Sequence, residues 1–548
     1  MYLFIDLDKT RDKGIIKSEF LANIREYFSE EDDKAGLKKN LFKDAKRFIP
    51  TRKYVISEQG RFEIGLLPDI LRYLKTLNTP FKIVFSEEFK QRYACAYSFA
   101  NEPLIPLNLP ARDYQLEGVV KALQNGNGIE IHPTASGKTL VQAMLIANVL
   151  HHIPTTKTLY ITLTHLVDQT YEEFLSYGIN PQIISKWSGD NNLNMSSNII
   201  ICGTNILYSK IDNTALELKK AKLIYLKLTK MLESDFTLTA EKRKEYEVLV
   251  EKIKKDIPRI QKRDDNNKII HDFLETITLL VIDECHTLKK DNEINNVLKF
   301  IKTRNRFFFT GTMPESLIDQ WSIIGKSGPI IYKVDRDKLV EEKHIADAEV
   351  KILALEYKDK PDIYSNDEIE EEDGEELNGK YLAELEFIHK NIFRNGIIKK
   401  ITEKLDKNAL IVLDRLEHGE LLLSYLTSQL PNKKVYFIKG EVENEDRDKI
   451  KKLMEEENNV VCIAISNIFS TGINIKNLHY IILAAAGKAK IRLIQTIGRG
   501  VRKLEGKIKL IIFDLADKLH YGTKHLAKRI QIYDNENIRH STIEIKEG

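Results

Sequence analysis

The chain has 548 residues and a net charge of +3, from 84 basic and 81 acidic side chains, so total charge gives no argument about its partners. It is long enough for about three or four domains. Its four cysteines lie far apart without Cys-x-x-Cys spacing, which argues against a disulfide framework or a zinc site. No apolar run approaches the roughly 20 residues that span a bilayer, and charge follows too soon after Met1 for a signal peptide. We therefore expect a cytoplasmic protein without a membrane partner.

Residues 1–105 are predicted to form a small N-terminal α/β domain that binds DNA. Residues 37–54 interleave seven basic side chains with three aromatic ones, and the candidate phosphate contacts are Lys43, Lys46 and Arg47. Basic groups neutralise phosphates, and aromatic rings stack on bases. The segment is equally compatible with a solvated helix face over buried aromatic residues.

A second pattern in the same region could indicate nuclease chemistry. Pro68-Asp69 is followed by Glu88-Phe89-Lys90, an arrangement that could hold Mg²⁺ for phosphodiester cleavage. However, Pro68-Asp69 also suits the start of the helix that follows it. We favour the helix start and keep a helicase–nuclease as the alternative.

Residues 106–345 are predicted to form a doubly wound α/β domain. A proline-punctuated linker at 101–110 precedes a helix with Gln115 in its first turns, and a glutamine amide can pair with an adenine edge. Short apolar runs then alternate with helical patterns, which indicates buried parallel strands at 128–131, 158–163, 198–202, 278–282 and 306–310. Ligands of such sheets bind at the carboxyl ends of the strands.

The first of these runs leads into His132-Pro133-Thr134-Ala135-Ser136-Gly137-Lys138-Thr139. A strand that turns into a helix through Gly-Lys-Thr is typical of a phosphate-binding loop, in which backbone N–H groups meet the phosphate charge. Lys138 would reach the β- and γ-phosphates, and the Thr139 hydroxyl would ligand Mg²⁺. The full pattern has glycine where this chain has His132, so an ordinary strand–turn–helix is the alternative for the loop taken alone.

Asp283 and Glu284 directly follow the apolar run 279–282, at the predicted carboxyl edge of the same sheet. There Asp283 can hold Mg²⁺ through water, and Glu284 can accept a proton from the attacking water. One Asp-Glu pair means little among 81 acidic residues. Its place after a buried strand and downstream of Gly-Lys-Thr makes it a strong candidate.

Residues 212–270 interrupt the sheet pattern. Apolar residues recur at helical spacing from Leu218 to Leu232 and from Tyr246 to Ile260, which predicts two antiparallel helices that project as a hairpin. Pro258 should kink or end the second helix. The hairpin could be an arm for a partner or for DNA, or an inert insertion.

The rest of the chain repeats the alternating pattern. Residues 346–389 are predicted to be a linker, whose acidic tract at 367–377 is a solvated, mobile loop. A second α/β domain is expected at 390–515, and a helical tail at 516–548. In the second domain, Gln495, Arg499 and Arg502 share one face if their segment is helical. Such a face can meet a γ-phosphate across a domain cleft, although a surface helix with scattered basic residues has the same pattern.

In their order, these segments resemble the motifs of superfamily-two helicases: Arg112-Asp-Tyr-Gln115, Pro133–Thr139, Asp283-Glu-Cys-His286, Thr310-Gly-Thr312, Phe469-Ser-Thr-Gly-Ile-Asn-Ile475 and Gln495-Thr-Ile-Gly-Arg-Gly-Val-Arg502. Within that superfamily the chain is most similar to phage recombination helicases, through Gly440-Glu-Val-Glu-Asn-Glu-Asp-Arg447 and, more weakly, both ends of the chain. The resemblance implies two RecA-like doubly wound parallel-sheet domains.

The resemblance also implies an ATP- and Mg²⁺-dependent DNA helicase or translocase that remodels branched DNA, by fork regression, junction migration and R-loop unwinding. In that family the chain would act as a monomer on branched or duplex DNA in recombination and repair, in the host cytoplasm. The implied nucleotide contacts are Arg112, Gln115 and Pro133–Thr139. The implied catalytic residues are Lys138, Asp283, Glu284, Gln495, Arg499 and Arg502, the last two as arginine fingers. The implied nucleic-acid contacts are Thr164, His165, Gly203, Thr204, Gly440, Thr471 and Gly472.

Three features depart from that family. Ala135 stands where many of these helicases have glycine, which costs about 1 kcal/mol if the position needs positive φ. Asn474 replaces a common aspartate, and the hairpin and acidic tract look like insertions. An RNA-directed helicase stays a rival, since the ATPase motifs do not name the nucleic acid. A scaffold without ATPase activity is disfavoured because the ATPase residues are all present.

Overall fold

The structure is a computed structural model, and it describes residues 2–9, 11–32, 51–77, 80–95, 104–133, 136–188, 193–210, 214–234, 239–288, 294–342, 347–359, 374–438, 452–465, 477–484, 509–535 and 538–548. The chain divides into two compact units. One consists of Met1–Ile131 and Thr139–Lys333, and the other of His132–Lys138 and Val334–Gly548. No helix in the described ranges combines the length and the apolar character that crossing a membrane requires.

The N-terminal region forms a mixed sheet with helices. Its strands are β1 (Tyr2–Leu7), β2 (Gly14–Lys17), β3 (Ser29–Glu31), β4 (Arg52–Tyr54), β5 (Arg61–Phe62) and β6 (Lys82–Phe85), and its helices are α1 (Leu21–Tyr27), α2 (Leu67–Thr76) and α3 (Glu87–Tyr93). Four strands pair in the order β5-β2-β1-β6, and β3 pairs with β4. The α/β character predicted for this region is confirmed.

The first unit also contains a seven-stranded parallel sheet. Its strands are β7 (Gly128–Ile131), β8 (Thr158–Thr162), β9 (Ile184–Trp187), β10 (Ile199–Gly203), β11 (Leu279–Ile282), β12 (Arg306–Thr310) and β13 (Ile330–Lys333). The α-helices before and between these strands are α4 (Asp113–Asn125), α5 (Lys138–His152), α6 (Val167–Ser176), α7 (Thr204–Lys210), α8 (Thr214–Ser234), α9 (Ala240–Glu275), α10 (Ile294–Val297) and α11 (Leu317–Lys326). The strand order is β13-β7-β12-β11-β8-β10-β9, so the five predicted strands are confirmed, and β9 and β13 are additional.

Residue alternation explains why both faces of this sheet are covered. Successive side chains of a strand point to opposite faces. Leu280 and Ile282 accordingly lie in one apolar cluster, whereas Leu279 and Val281 of the same strand lie in another, with residues of α4 and α5. A continuous apolar run is therefore what a strand buried on both faces requires.

The N-terminal region is not an independent unit, since its buried residues share one apolar cluster with the first face of the parallel sheet. At the junction, the Glu30 carboxylate accepts hydrogen bonds from the Ser316 hydroxyl and from the N–H groups of Leu317 and Ile318, at the start of α11. Burial alone would raise the pKa of Glu30, but these hydrogen bonds outweigh it and hold the pKa below its usual value. A carboxylate at a helix N-terminus favours this docking.

The predicted hairpin is confirmed as helices α8 and α9. Arg263 of α9 forms an ion pair with Glu217 near the start of α8, and Arg243 donates to the Leu232 carbonyl near the end of α8, so the helices are antiparallel. Pro258 was predicted to kink or end the second helix, and it does not end it, because α9 continues to Glu275. Pro258 is exposed, and the loss of one N–H does not interrupt a helix that packs along α8.

The second unit contains another seven-stranded parallel sheet. Its strands are β14 (Asp347–Glu356), β15 (Ala409–Leu413), β16 (Lys434–Ile438), β17 (Val460–Ile465), β18 (Tyr480–Leu483), β19 (Lys509–Asp517) and β20 (Arg539–Lys546). The helices are α12 (Arg336–Glu341), α13 (Gly374–Lys390), α14 (Ile392–Lys404), α15 (Leu416–Gln429) and α16 (His520–Asn535), and residues 452–456 are helical. The strand order is β16-β17-β15-β18-β19-β14-β20.

Two predicted boundaries change in this unit. The predicted linker 346–389 contains β14, which pairs along most of its length with β19, so the second sheet begins before residue 390. The predicted helical tail 516–548 holds α16 but ends in β20, which pairs with β14. β20 is an edge strand whose side chains are almost all exposed, so it lacks the apolar run that identified the other strands.

Some predicted features lie outside the described residues. They are most of the basic segment 37–54, with Lys43, Lys46 and Arg47, most of the acidic tract, Thr134 and Ala135, Gly440, Thr471, Gly472 and Asn474, and the segment with Gln495, Arg499 and Arg502. The acidic tract was predicted to be a loop, but its last residues, 374–377, begin α13.

Candidate ATPase site and nucleic-acid edge

The phosphate-binding loop joins β7 to α5 as predicted. β7 ends at Ile131, which pairs with Thr310 at the end of β12, and α5 begins at Lys138. Between them the Ser136 N–H donates to the Pro133 carbonyl at 3.1 Å, and Gly137 has φ of 83°. A left-handed conformation strains any residue with a Cβ, so the glycine of Gly-Lys-Thr is required by the turn itself.

Asp283 is held in place from two sides. The strand β11 ends at Ile282, and the Asp283 N–H donates to the Ile161 carbonyl of β8 at 2.8 Å. Oδ1 of Asp283 accepts from Nε2 of Gln142 at 3.0 Å. The Gln142 oxygen in turn accepts from the Tyr160 hydroxyl at 2.6 Å. This buried chain fixes the orientation of the carboxylate that was predicted to serve Mg²⁺.

Glu284 has an unusual backbone conformation. Its φ is 52° and its ψ is 46°, in the left-handed region that residues other than glycine rarely adopt. Such strain costs on the order of 1–3 kcal/mol and persists only where surrounding structure enforces it. The strained turn ends β11 and sends the Glu284 carboxylate toward His286, whose Nδ1 lies 3.2 Å from Oε2 of Glu284.

The tautomer of His286 follows from its second partner. Nδ1 also lies 3.0 Å from Oγ1 of Thr310. The Thr310 hydroxyl has one proton, which it donates to the Thr312 carbonyl at 2.8 Å. Because Oγ1 can then only accept, Nδ1 of His286 must carry a proton, and it is placed to donate to both Thr310 and Glu284. His286 therefore links the predicted water-activating base to the Thr310-Gly311-Thr312 segment.

Sequence reasoning missed Gln142, Tyr160 and the role of His286. The signal available in the sequence was Gln142 itself, a polar residue within the apolar stretch of α5, and the structure buries it fully. Buried polar side chains require partners, which made Gln142 a candidate for a positioning role. Burial, and next the nearby Asp283, raise the pKa of Tyr160 well above its usual value, so its hydroxyl remains a hydrogen-bond donor.

Gln115 lies in the first turn of α4 as predicted. Its side-chain oxygen accepts from the Arg112 N–H at 2.9 Å, and the Arg112 side chain donates to the Tyr114 hydroxyl at 2.9 Å. The helix start thus fixes the Gln115 amide, which is almost fully buried. Its pairing with adenine stays a prediction.

The predicted nucleic-acid contacts of the first unit lie at the ends of two neighbouring strands. β8 and β10 are neighbours, and their carboxyl ends carry Thr164 and Gly203–Thr204, respectively. A Cβ on Gly203 would lie 2.7 Å from both Cα and Oγ1 of Thr164, so only glycine allows this approach. His165 follows Thr164 in the same turn. This pair lies at the same sheet edge as Asp283, whose strand β11 is the other neighbour of β8.

The charged residues of the alternative nuclease pattern form ion pairs with other residues of the N-terminal region. Pro68 and Asp69 lie in the first turn of α2, as the favoured interpretation predicted. Asp69 pairs with Arg72, Glu88 with Arg11 at 3.4 Å, and Lys90 with Glu87. Over the ranges that the structure describes, no three His, Cys, Asp or Glu side chains are grouped to hold a metal ion.

The donor set nevertheless fits a nucleotide-bound Mg²⁺. Mg²⁺ takes hard oxygen ligands, and it is commonly held by one or two protein oxygens together with substrate phosphates and water rather than by a complete protein cage. Thr139 is the second residue of α5, directly after the phosphate loop, and Asp283 is oriented at the end of β11. These are the residues that would hold the ion.

Comparisons with known proteins agree with this geometry. Residues 108–315 match the family described as "Type III restriction enzyme, res subunit", and residues 393–503 match the "Helicase conserved C-terminal domain". The chain is 25% identical over 448 residues to the ATP-dependent DNA helicase uvsW of Enterobacteria phage T4, covering 78% of this chain and 76% of that protein.

Two solved structures share the fold. One is a fragment assigned to the HsdR subunit of a type I restriction enzyme from Vibrio vulnificus, with a TM-score of 0.52 and 14% identity over 80% of this chain and 70% of that one. The other is the ATP-dependent type ISP restriction-modification enzyme LlaBIII bound to DNA, with a TM-score of 0.51 and 11% identity over 95% of this chain and 36% of that one.

The two seven-stranded parallel sheets define an α/β protein with two RecA-like domains. The first half matches the restriction-enzyme res-subunit model, the second half matches the helicase C-terminal domain, and a phage helicase is among the relatives. The chain is therefore an ATP-dependent helicase, an enzyme that unwinds nucleic acid.

Proposed function

We propose that this helicase is a DNA translocase that remodels branched DNA, by fork regression, junction migration and R-loop unwinding in recombination and repair. The observation that carries the motor mechanism is the shared edge of the first sheet, where Asp283 follows β11 and the Thr164–Gly203 contact follows β8 and β10. Nucleic acid bound at the ends of β8 and β10 would lie within two strands of β11, which Asp283 and Glu284 follow. The DNA specificity is supported by the phage relative, which is a DNA helicase, and by LlaBIII, which is bound to DNA.

In the proposed mechanism each residue has a separate task. Lys138 and the backbone N–H groups of the loop bind the phosphates of ATP. Thr139 and Asp283 would hold Mg²⁺, which would neutralise charge on the phosphates. Glu284 accepts a proton from the attacking water on its carboxylate. His286 donates from Nδ1 to Glu284 and holds that carboxylate in position.

The coupling to DNA is proposed to use two routes. Within the first unit, His286 joins Glu284 to Thr310 and so to the Thr310–Thr312 segment, which lies at the sheet edge proposed for DNA. From the second domain, Gln495, Arg499 and Arg502 would supply polar and positive groups to the γ-phosphate, with Arg499 and Arg502 as arginine fingers. In the same domain Gly440, Thr471 and Gly472 would contact the DNA backbone, as would Lys43, Lys46 and Arg47 of the N-terminal region.

The proposal is tested by measuring ATP hydrolysis with single-stranded DNA, duplex DNA, a four-way junction and RNA side by side. We expect the largest stimulation with branched DNA, at a salt concentration held constant because phosphate contacts make affinity salt-dependent. Stimulation by RNA alone would replace the DNA assignment with that of an RNA-directed helicase. Equal stimulation by all four would remove the preference for branched DNA.

A further inference from the structure

A cavity of about 320 Å³ lies between the N-terminal region and the first parallel sheet, within one compact unit. It is lined by Arg306, the first residue of β12, and by residues of α11, while the ATPase residues follow the opposite ends of the strands. Five strand residues span about 13 Å at roughly 3.3 Å each. The cavity is therefore distinct from the ATPase site.

The described lining of this cavity is dominated by positive charge. Two acidic side chains line it, Asp12 and Glu63. Five basic side chains line it: Lys13, Arg92, Lys299, Arg306 and Lys326.

Both acidic groups already pair with lysines. Glu63 lies 2.8 Å from Nζ of Lys13, and Asp12 lies 2.7 Å from Nζ of Lys302. Among the ion pairs of the described residues, none involves the other four basic groups of the cavity: Arg92, Lys299, Arg306 and Lys326.

The deepest cations are satisfied by neutral oxygen atoms rather than by carboxylates. Arg306 donates to the carbonyls of Thr303, Lys326, Leu298 and Ile301. Lys326 donates to the carbonyl and hydroxyl oxygens of Ser322. Arg92 donates to the Lys302 carbonyl at 2.7 Å. These bonds satisfy donors but do not neutralise the charge.

Placing several cations out of water is unfavourable, and this cost lowers the pKa of the two buried basic groups of the cavity, Arg306 and Lys326. Burial is the main cause that lowers the pKa of Arg306 to about 9 and that of Lys326 to about 8, and the nearby Glu63 carboxylate only partly opposes it. Buried charges are retained in proteins when they are paired. A bound anion would restore that pairing.

From the charge and enclosure of this cavity we propose that it is an oxyanion site, which binds phosphate groups independently of the ATPase site. Its volume is about ten times the roughly 30 Å³ that one water molecule occupies, so it accommodates a pyrophosphate or a short stretch of phosphodiester backbone. Lys326 and Arg306 supply the buried charge, and Arg92 and Lys299 line the cavity from a partly exposed and an exposed position. The proposal does not depend on the nucleic-acid preference of the enzyme.

A tryptophan in the cavity lining can report ligand binding by its fluorescence. It has two tryptophans, Trp187 and Trp321, and Trp321 lines the cavity. In a Trp187→Phe, Lys138→Ala protein, fluorescence reports on Trp321 alone and the phosphate loop no longer competes for the ligand. Titration of this full-length protein with pyrophosphate should give a saturable change in Trp321 emission.

Two further variants locate the binding. Arg92→Gln with Lys299→Gln should weaken pyrophosphate binding at least tenfold, and neither side chain is buried, so the fold should persist. The matched control is Lys75→Gln, an exposed lysine of α2 outside the cavity, and it should bind as the parent does. No saturable signal, or equal affinity in the double variant and the control, would overturn the proposal.

A competition arm then separates two sources of phosphate. A short duplex that displaces pyrophosphate from the cavity would identify the phosphates as those of the nucleic-acid backbone. A duplex that binds without displacing pyrophosphate would identify a free phosphate-bearing ligand. Both results support the oxyanion site, and both are read without ATP hydrolysis, so failure of the proposed DNA activity would not be confused with failure of the site.

Discussion

The side-chain amide of Gln142 donates to Oδ1 of Asp283 at 3.0 Å, and so connects α5, which begins at the phosphate loop, to the carboxylate proposed to hold Mg²⁺. Groups that orient a metal-binding residue typically contribute 10–100-fold to affinity or activity. In this proposal Gln142 touches neither the nucleotide nor the metal. It acts through Asp283, whose carboxylate it orients, and is therefore a positioning residue.

Gln142→Leu should raise the Mg²⁺ concentration needed for half-maximal ATPase activity by about tenfold, because Asp283 loses the side-chain donor that orients it, although it keeps the Glu284 N–H. Nucleotide binding without metal should change little. The matched control is Gln169→Leu, an exposed residue of α6 whose amide bonds Glu173, and it should leave the Mg²⁺ dependence unchanged. An unaltered Mg²⁺ dependence in Gln142→Leu would mean that Gln142 does not position Asp283 for the metal.

The protonated Nδ1 of His286 leads to a second prediction. His286→Ala should lower kcat by about tenfold or more, the scale of a lost positioning hydrogen bond to a charged group, with KM for ATP within a few-fold. His286→Asn should recover part of the loss, because an asparagine N–H can occupy the position of Nδ1. Equal loss in both variants would indicate a purely structural role for the ring.

Arg502 tests the contribution of the second domain. Arg502→Ala should leave nucleotide affinity within a few-fold and lower DNA-stimulated turnover by roughly 10³ or more, the scale of arginine fingers. The measurement is kcat at saturating ATP and DNA, with ATP affinity measured separately. A defect confined to ATP affinity would remove Arg502 from the catalytic residues and leave Arg499 as the candidate.

The second unit should lose stability in acid through His418. Burial, and next the neighbouring Arg394 charge, lower the pKa of His418 to about 2, and its Nε2 lies 3.0 Å from Oδ1 of Asn395. The unfolded chain binds a proton at this residue below about pH 6.5 whereas the folded chain stays neutral, so stability falls as the pH drops below that value. His418→Gln keeps a donor for Asn395 and removes the titration.

From pH 7 to pH 5, wild type should therefore lose on the order of 2 kcal/mol more stability than His418→Gln, at about 1.4 kcal/mol per pKa unit. Urea-dependent hydrogen exchange of peptides from β15, in the same unit, measures this difference. Equal pH dependence in the two proteins would show that His418 is accessible to protons in the folded state.

The sequence predicted the strands well because a parallel strand buried on both faces must be continuously apolar, as Leu279–Ile282 is. It did not reveal β20, whose exposed edge carries no such pattern. The phosphate loop and Asp283-Glu284 could be recognised because their chemistry depends on adjacent residues. The bond between Gln142 and Asp283 could not be predicted, since the two residues are 141 positions apart and only the fold joins them.

Tertiary packing also explains two further differences from the sequence-based expectations. The rule that proline ends a helix concerns local geometry, and at Pro258 the packing of α9 on α8 prevails over it. The charge of the cavity near Arg306 arises from segments far apart in the chain, so neither net charge nor a local basic run predicts it.

The central claim is that Glu284 activates the water that hydrolyses ATP, and it is tested most directly by Glu284→Gln. ATP hydrolysis at saturating DNA should fall by about 10²–10⁴-fold, the contribution of a general base, while ATP and DNA binding persist because Asp283 and Lys138 are intact. Near-normal turnover in Glu284→Gln would contradict the assignment of the base and with it the proposed mechanism.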